Sequence, residues 1–189
     1  MKTNRLVLAA LVSSALLSTN ALAADGTINF TGSITASACT TVVGAASAGG
    51  TASTNATIAL PNLPTTAFTG AGTFAGNTAF TIQLNGCQST AALTNVRALF
   101  TTATPQPTDI YVMKNTATTG PATDVAVAIL TSAGTQIDLN GGPNLDPGAA
   151  LPSTSGNVTL NYQAAYKALS ATVGAGSVAA NADYTISYY

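Results

Sequence analysis

The segment GTINFTGSI, residues 26–34, decides how this chain is read. Ile28, Phe30, Gly32 and Ile34 alternate with Thr27, Asn29, Thr31 and Ser33, so an extended backbone places every apolar group on one face. That pattern specifies a strand. It falls where the mature chain is expected to begin, and terminal residues stay loose unless something ties them down. What this strand pairs with is a question of function as much as of fold.

Residues 1–23 carry the three parts of a secretory signal. Lys2 and Arg5 stand at the start, an apolar run covers residues 6–17, and Ala21-Leu22-Ala23 forms a small-residue cleavage site. The apolar run is too short for a permanent membrane span. Cleavage after Ala23 is expected to leave residues 24–189 as one exported, soluble domain, long enough to bury a core.

The mature chain then holds Arg97, Lys114 and Lys167 against Asp25, Asp109, Asp124, Asp138, Asp146 and Asp183, with no His and no Glu. There is no basic patch, so nucleic acid is not an expected partner. A surface of Ala, Thr, Ser, Gly and Asn with so few charges suits a subunit largely covered by copies of itself; a bland secreted domain is the competing reading.

Cys39 and Cys87 are the only cysteines, and an exported chain meets an oxidising compartment, so they are expected to pair. Closing a loop of about fifty residues contributes about 4 kcal/mol in the chain-entropy account. The competing metal or catalytic-thiol reading finds no His and no further Cys to complete a site.

Downstream, strand follows strand. Alternation marks Ile58 and Leu60; Phe80, Ile82 and Leu84; Val96, Ala98 and Phe100; Val125, Val127 and Ile129; and Val158, Leu160, Tyr162, Ala164 and Tyr166. Residues 182–189 form a last strand with Ala182, Tyr184, Ile186 and Tyr188 on one face. Helical spacing occurs nowhere outside the signal. Short strands separated by Gly, Pro, Asn and Ser clusters predict an all-β sandwich. Residues 44–56 read as a mobile surface loop, and residues 138–147 (DLNGGPNLDP) as a turn whose Asp and Asn spacing distantly suggests calcium but lacks the closing Glu. The final strand has no closing turn after it, and an unpaired apolar edge is a template for another chain's strand.

Four blocks together resemble the major-subunit family of bacterial fimbriae assembled by the chaperone–usher route: GTINFTGSITASAC (residues 26–39), AGNTAFTIQLNGC (75–87), LNYQAAY (160–166) and GSVAANADYTISYY (176–189). The resemblance covers essentially the whole mature chain. It implies an immunoglobulin-like sandwich lacking its last strand, completed by donor-strand complementation. Residues 24–36 would be the N-terminal donor extension, with Ile28, Phe30, Gly32 and Ile34 entering a neighbour's groove, and residues 37–189 the pilin domain. The resemblance further implies copies of itself and other fimbrial subunits as partners, together with a periplasmic chaperone and an outer-membrane usher. Gly176, the fourteenth residue from the end, with Tyr184, Ile186 and Tyr188 of the last strand, would serve chaperone recognition.

Gly32 and Tyr188 each have a plainer reading. A glycine inside a strand often marks only a bulge, and a tyrosine near a chain end is commonly half-buried packing.

The reading is a structural subunit of a surface fimbrium that supports cell adhesion, reached through the periplasm, with no cofactor. The alternative is a minor or adhesive subunit that binds a host glycan or surface directly. Enzymatic function is not expected: hydrolases need a base or metal, and a Ser/Lys pair through Lys114 or Lys167, or two aspartates, is all the composition leaves.

Overall fold

The computed structural model describes residues 38–47, 50–140 and 146–189, all within one compact unit, Ala36–Tyr189. The expected signal and the expected donor segment, with Ile28, Phe30, Gly32 and Ile34, lie outside the described residues.

Nine strands are present among the described residues: β1 (Thr41–Ser47), β2 (Phe74–Cys87), β3 (Asn95–Thr101), β4 (Pro105–Gln106), β5 (Asp109–Lys114), β6 (Val125–Thr131), β7 (Ala149–Ala150), β8 (Gly156–Ala168) and β9 (Asp183–Tyr188). The only helical piece among them is a single 3₁₀ turn, Thr65–Ala67. The strands form two sheets, one of six in the order β1-β2-β8-β6-β5-β4 and one of three in the order β7-β3-β9, and every strand pairing is antiparallel.

Alternation builds the main core between these sheets. Phe80, Ile82 and Leu84 of β2, Leu160 and Tyr162 of β8, and Val127 and Ile129 of β6 pack in one cluster with Val96, Ala98 and Phe100 of β3. Three rings meet at its centre: the Phe100 and Tyr162 centroids lie 4.9 Å apart edge to face, with Phe80 at 5.5 Å from Tyr162 and 6.2 Å from Phe100. Edge-to-face contacts of this kind add about 0.5–1.5 kcal/mol beyond area burial.

Tyr162 also resolves a polar problem. Strand β7 pairs with β3 only at Asn95 and Val96, which leaves the Ala98 amide beyond the end of that ladder. That N–H donates to the Tyr162 hydroxyl at 3.2 Å, and the hydroxyl donates in turn to Oδ2 of buried Asp146. The second carboxylate oxygen accepts the Gly148 N–H at 2.9 Å. One side chain thus fastens the segment leading into β7 to the middle of the core.

The structure departs from the sequence expectations in four places. Part of the expected loop at residues 44–56 is strand: Gly44–Ser47 belong to β1 and pair with Gln83, Ile82, Thr81 and Phe80. A neighbouring strand edge supplies backbone partners, which small residues accept without any apolar period. Ile58 and Leu60 alternate inward and pack against the core as expected, yet residues 56–64 form no strand, since no described strand pairs with them. Strand β5 (DIYVMK) escapes the period-2 test because its apolar residues are consecutive. In β6 the alanines are buried too. Val127 and Ile129 face the main core, whereas Ala126, Ala128 and Leu130 join a second cluster with Val112 and Ala165.

Burial first, then the bond to Asp146, raise the Tyr162 phenol above its ordinary value of 10.0, with the Ala98 amide opposing. A raised phenol contributes stability that is fully present below pH 10.0 and is lost as the pH climbs past it. Tyr162→Phe is expected to lower folding stability by about 1–3 kcal/mol, since the Ala98 and Asp146 groups stay buried without their partner. It should also flatten the alkaline fall in stability, both effects being readable in denaturant titrations at neutral and high pH.

Candidate functional site

Strand β9 is an outermost strand, and this edge governs the site. Asn95 and Tyr189 exchange both backbone bonds, Tyr189 N–H to Asn95 carbonyl at 3.1 Å and Asn95 N–H to Tyr189 carbonyl at 2.9 Å. Hydrogen-bonded pairs in an antiparallel ladder recur every second residue. The register therefore turns the backbone groups of Ser187, Thr185 and Asp183 toward β3, opposite Arg97, Leu99 and Thr101. Those of Tyr188, Ile186 and Tyr184 point the other way, where no described strand lies. The side chains of the same three residues pack against the main core.

A long groove of about 1420 Å³ opens beside this edge. Phe80 and Ile82 of β2, Val127 and Ile129 of β6, and Ala164 and Tyr166 of β8 give it an apolar floor from the six-stranded sheet. Tyr184 and Ile186 contribute from β9, together with residues 173–183 leading into it. Residues between 54 and 63 contribute a further side, with Ile58 and Leu60 packed against the core and the Pro61 carbonyl accepting a bond from the Tyr166 hydroxyl at 3.2 Å.

Burial raises the phenols of Tyr166 and Tyr184 above their ordinary value. Among the described residues Asp183 is the sole charged one lining the groove. Such a cleft, apolar below and edged by backbone donors and acceptors that β3 does not use, has the form of sites at which an extended chain of alternating apolar residues can add to a sheet edge.

Gly176 helps close one part of the groove. The Ala122 N–H donates to the Ser177 carbonyl at 2.9 Å and the Ser177 N–H to the Gly120 carbonyl at 2.7 Å, which draws the two backbones together. A Cβ on Gly176 would lie 2.3 Å from the Ala122 nitrogen and 2.5 Å from the Gly120 carbonyl oxygen. Only glycine allows that approach.

The sequence-derived site residues divide by position. Gly176, Tyr184 and Ile186 come together along the groove. Tyr188 packs on the main core as Tyr184 and Ile186 do but does not line the groove; burial raises its phenol while a backbone hydrogen bond from Cys39 opposes the rise. Cys39 and Cys87 form a disulfide. Phe80, Val127, Ile129, Ala164 and Tyr166 were legible as core-facing positions, but alternation carries no signal for which core-facing residues line the groove.

The residues weighed for catalysis are placed too. The Lys167 ammonium is held by Asp109 at 2.6 Å and Gln136 at 2.7 Å. Among the described residues no three of His, Cys, Asp or Glu cluster as metal ligands.

Comparison with known proteins places this architecture. The profile of the family described as "Fimbrial protein" matches residues 28–189. The type-1 fimbrial protein subunit of Serratia marcescens is 34% identical over 100% of this chain and 99% of its own length. The F17 fimbrial protein of Escherichia coli is 33% identical over 96% of this chain and 94% of its own. Among solved structures, a chaperone–usher pilus studied for rod uncoiling aligns with TM-score 0.55 at 19% identity, covering 88% of this chain and 96% of that one. The P pilus rod subunit PapA aligns with TM-score 0.51 at 22% identity, over 70% and 92%. At those identities the structural likeness speaks to the fold.

The outward amide of Ile186 offers a direct test of the open edge. Ile186→Pro removes an N–H that β3 does not use, and proline is tolerated where a strand's N–H faces away from its sheet. Relative to Ile186→Ala, the proline variant should keep its fold by circular dichroism. It should bind an added apolar strand peptide about 0.5–1.5 kcal/mol more weakly by calorimetry, the worth of one bond.

Proposed function

Because this chain belongs to the fimbrial protein family and is a structural subunit of a surface pilus, we propose that its groove receives the N-terminal strand of the next subunit. The observation that carries this reading is the coincidence of an open β9 edge with the apolar groove beneath it. The segment at residues 26–34 has the complementary design, with apolar residues at every second position and polar ones between.

Strand exchange satisfies both. Ile28, Phe30 and Ile34 lie against the groove floor, each burial contributing about 1.5–3 kcal/mol, while backbone bonds form along Tyr184, Ile186 and Tyr188. Gly32 sits where the incoming backbone must come close to the acceptor, which a side chain would prevent.

Before assembly the same edge requires a surrogate strand, and a periplasmic chaperone supplies one. The outer-membrane usher is where one strand replaces the other. Tyr184 and Ile186 serve recognition through their place on the open edge, Tyr188 by fixing the end of β9, and Gly176 by shaping the groove.

Two changes separate giving a strand from accepting one. Deleting residues 24–33 should yield a folded subunit that binds a peptide copying residues 24–36 and stops filament growth when co-expressed with the intact chain. Gly32→Leu should leave the chaperone-bound monomer intact and abolish polymerisation. Electron microscopy of both strains reads the outcome, and filaments of ordinary length from either variant overturn strand exchange.

A further inference from the structure

One side chain gathers the part of the groove wall that leads into β9. Asn115 directly follows β5 and reaches residues 177–179 with its carboxamide. Its Nδ2 donates to the Ser177 carbonyl at 2.9 Å and to the Ala122 carbonyl at 3.0 Å. Its Oδ1 accepts the Ala179 N–H at 3.0 Å and the Ala117 N–H at 3.1 Å. Both donors and both acceptor positions of the group are in use. Thr116 adds its N–H and its hydroxyl to the Ala179 carbonyl, at 2.8 and 3.1 Å.

The wall needs this support because it is not a strand. Residues 177–179 join no ladder; Ser177 makes an isolated bridge with Pro121, and Gly174 another with Thr123. Backbone groups without a ladder must find partners elsewhere. By serving the carbonyl of Ser177 and the N–H of Ala179, two residues on, the Asn115 carboxamide does what one peptide group of a neighbouring strand would do. A carboxylate there offers no donor, and an aliphatic side chain offers neither donor nor acceptor.

Asn115 also ties this wall to the floor. Met113 pairs with Val127 and Lys114 with Ala126 in the ladder between β5 and β6, and Asn115 is the next residue along. Val127 lines the groove from below, and Ser177, Val178 and Ala179 line it from the wall. The wall belongs to one end of the site. From residue 179 the chain passes Asn181, whose carbonyl accepts the Thr102 hydroxyl at 3.0 Å just beyond β3, and enters β9 at Asp183, on the Tyr184 side of the edge and away from Tyr188.

We propose that Asn115 is a positioning residue for strand capture: its carboxamide sets how far residues 177–179 stand from β6, and thereby how firmly one end of the incoming strand is held. This rests on the strand-exchange reading, which supplies the strand. A strand lying in the groove brings only one of its outer anchors, Ile28 or Ile34, to that end, with Phe30 between them.

The full chain of residues 24–189, kept dilute and monomeric, tests this against its Asn115→Asp variant, which retains the acceptor bonds and loses both donors. The probe is a fluorescent peptide copying residues 24–36, together with its Ile28→Ala, Phe30→Ala and Ile34→Ala forms. The variant should release the intact peptide about tenfold faster, the equivalent of one hydrogen bond. That difference between the two chains should vanish for one of the Ile28→Ala and Ile34→Ala peptides and persist for Phe30→Ala. Circular dichroism establishes that both chains are folded. Should Asn115→Asp fail to fold, Thr116→Val removes one of the two bonds to the Ala179 carbonyl and should give the same pattern on a smaller scale. No change in release, an equal change for every peptide, or a change confined to Phe30 overturns the positioning role and leaves strand exchange standing. An unaltered chain that binds none of the peptides overturns strand exchange itself.

Discussion

A strand edge that no described strand pairs with, set beside an apolar groove, is the constraint on which this protein depends. The backbone groups of Tyr184, Ile186 and Tyr188 that face away from β3 meet no described strand, and the groove beside them is lined by the core residues Phe80, Ile82 and Val127. A soluble domain that kept such an edge open would pair indiscriminately with other chains. In the proposed strand exchange the same feature becomes the means of assembly, and the weakness of the single fold becomes the specificity of the joint.

The remainder of the molecule holds that edge in place. Strand β3 fixes β9 from one side, and its own position is set by the Phe80–Phe100–Tyr162 ring cluster. Tyr162 supplies both an apolar ring and a hydroxyl bridging Ala98 and Asp146, so the three-stranded sheet is pinned although β7 is only two residues long. Gly176 brings the chain before β9 against residues 120–122, completing the groove. Rigidity around the opening matters because a preformed cleft binds a strand without the cost of ordering itself first.

Low charge is consistent with this arrangement. Residues 24–189 hold three cations, and Lys167 is committed to Asp109 and Gln136 while Arg97 stacks on the Tyr189 ring at 4.6 Å. The polar, uncharged remainder suits a surface that contacts copies of itself repeatedly, where fields of one sign would repel.

Much of this was legible in the order of residues. Period-2 alternation marked β2, β3, β6, β8 and β9 and named their core-facing members, because a pleated strand sends successive side chains to opposite faces whatever surrounds it. The two lone cysteines of an exported chain identified their own pairing. Other features required the tertiary structure. Strand β1 has no apolar rhythm and exists because the β2 edge offers it partners, while Ile58 and Leu60 keep the rhythm and find no ladder. The dual burial of β6, the closeness of Gly176 to Ala122 and the hydroxyl bridge of Tyr162 depend on segments distant in the chain. Local periodicity reports which way a side chain points; only packing decides what, if anything, stands opposite it, and here that is what leaves the edge of β9 open.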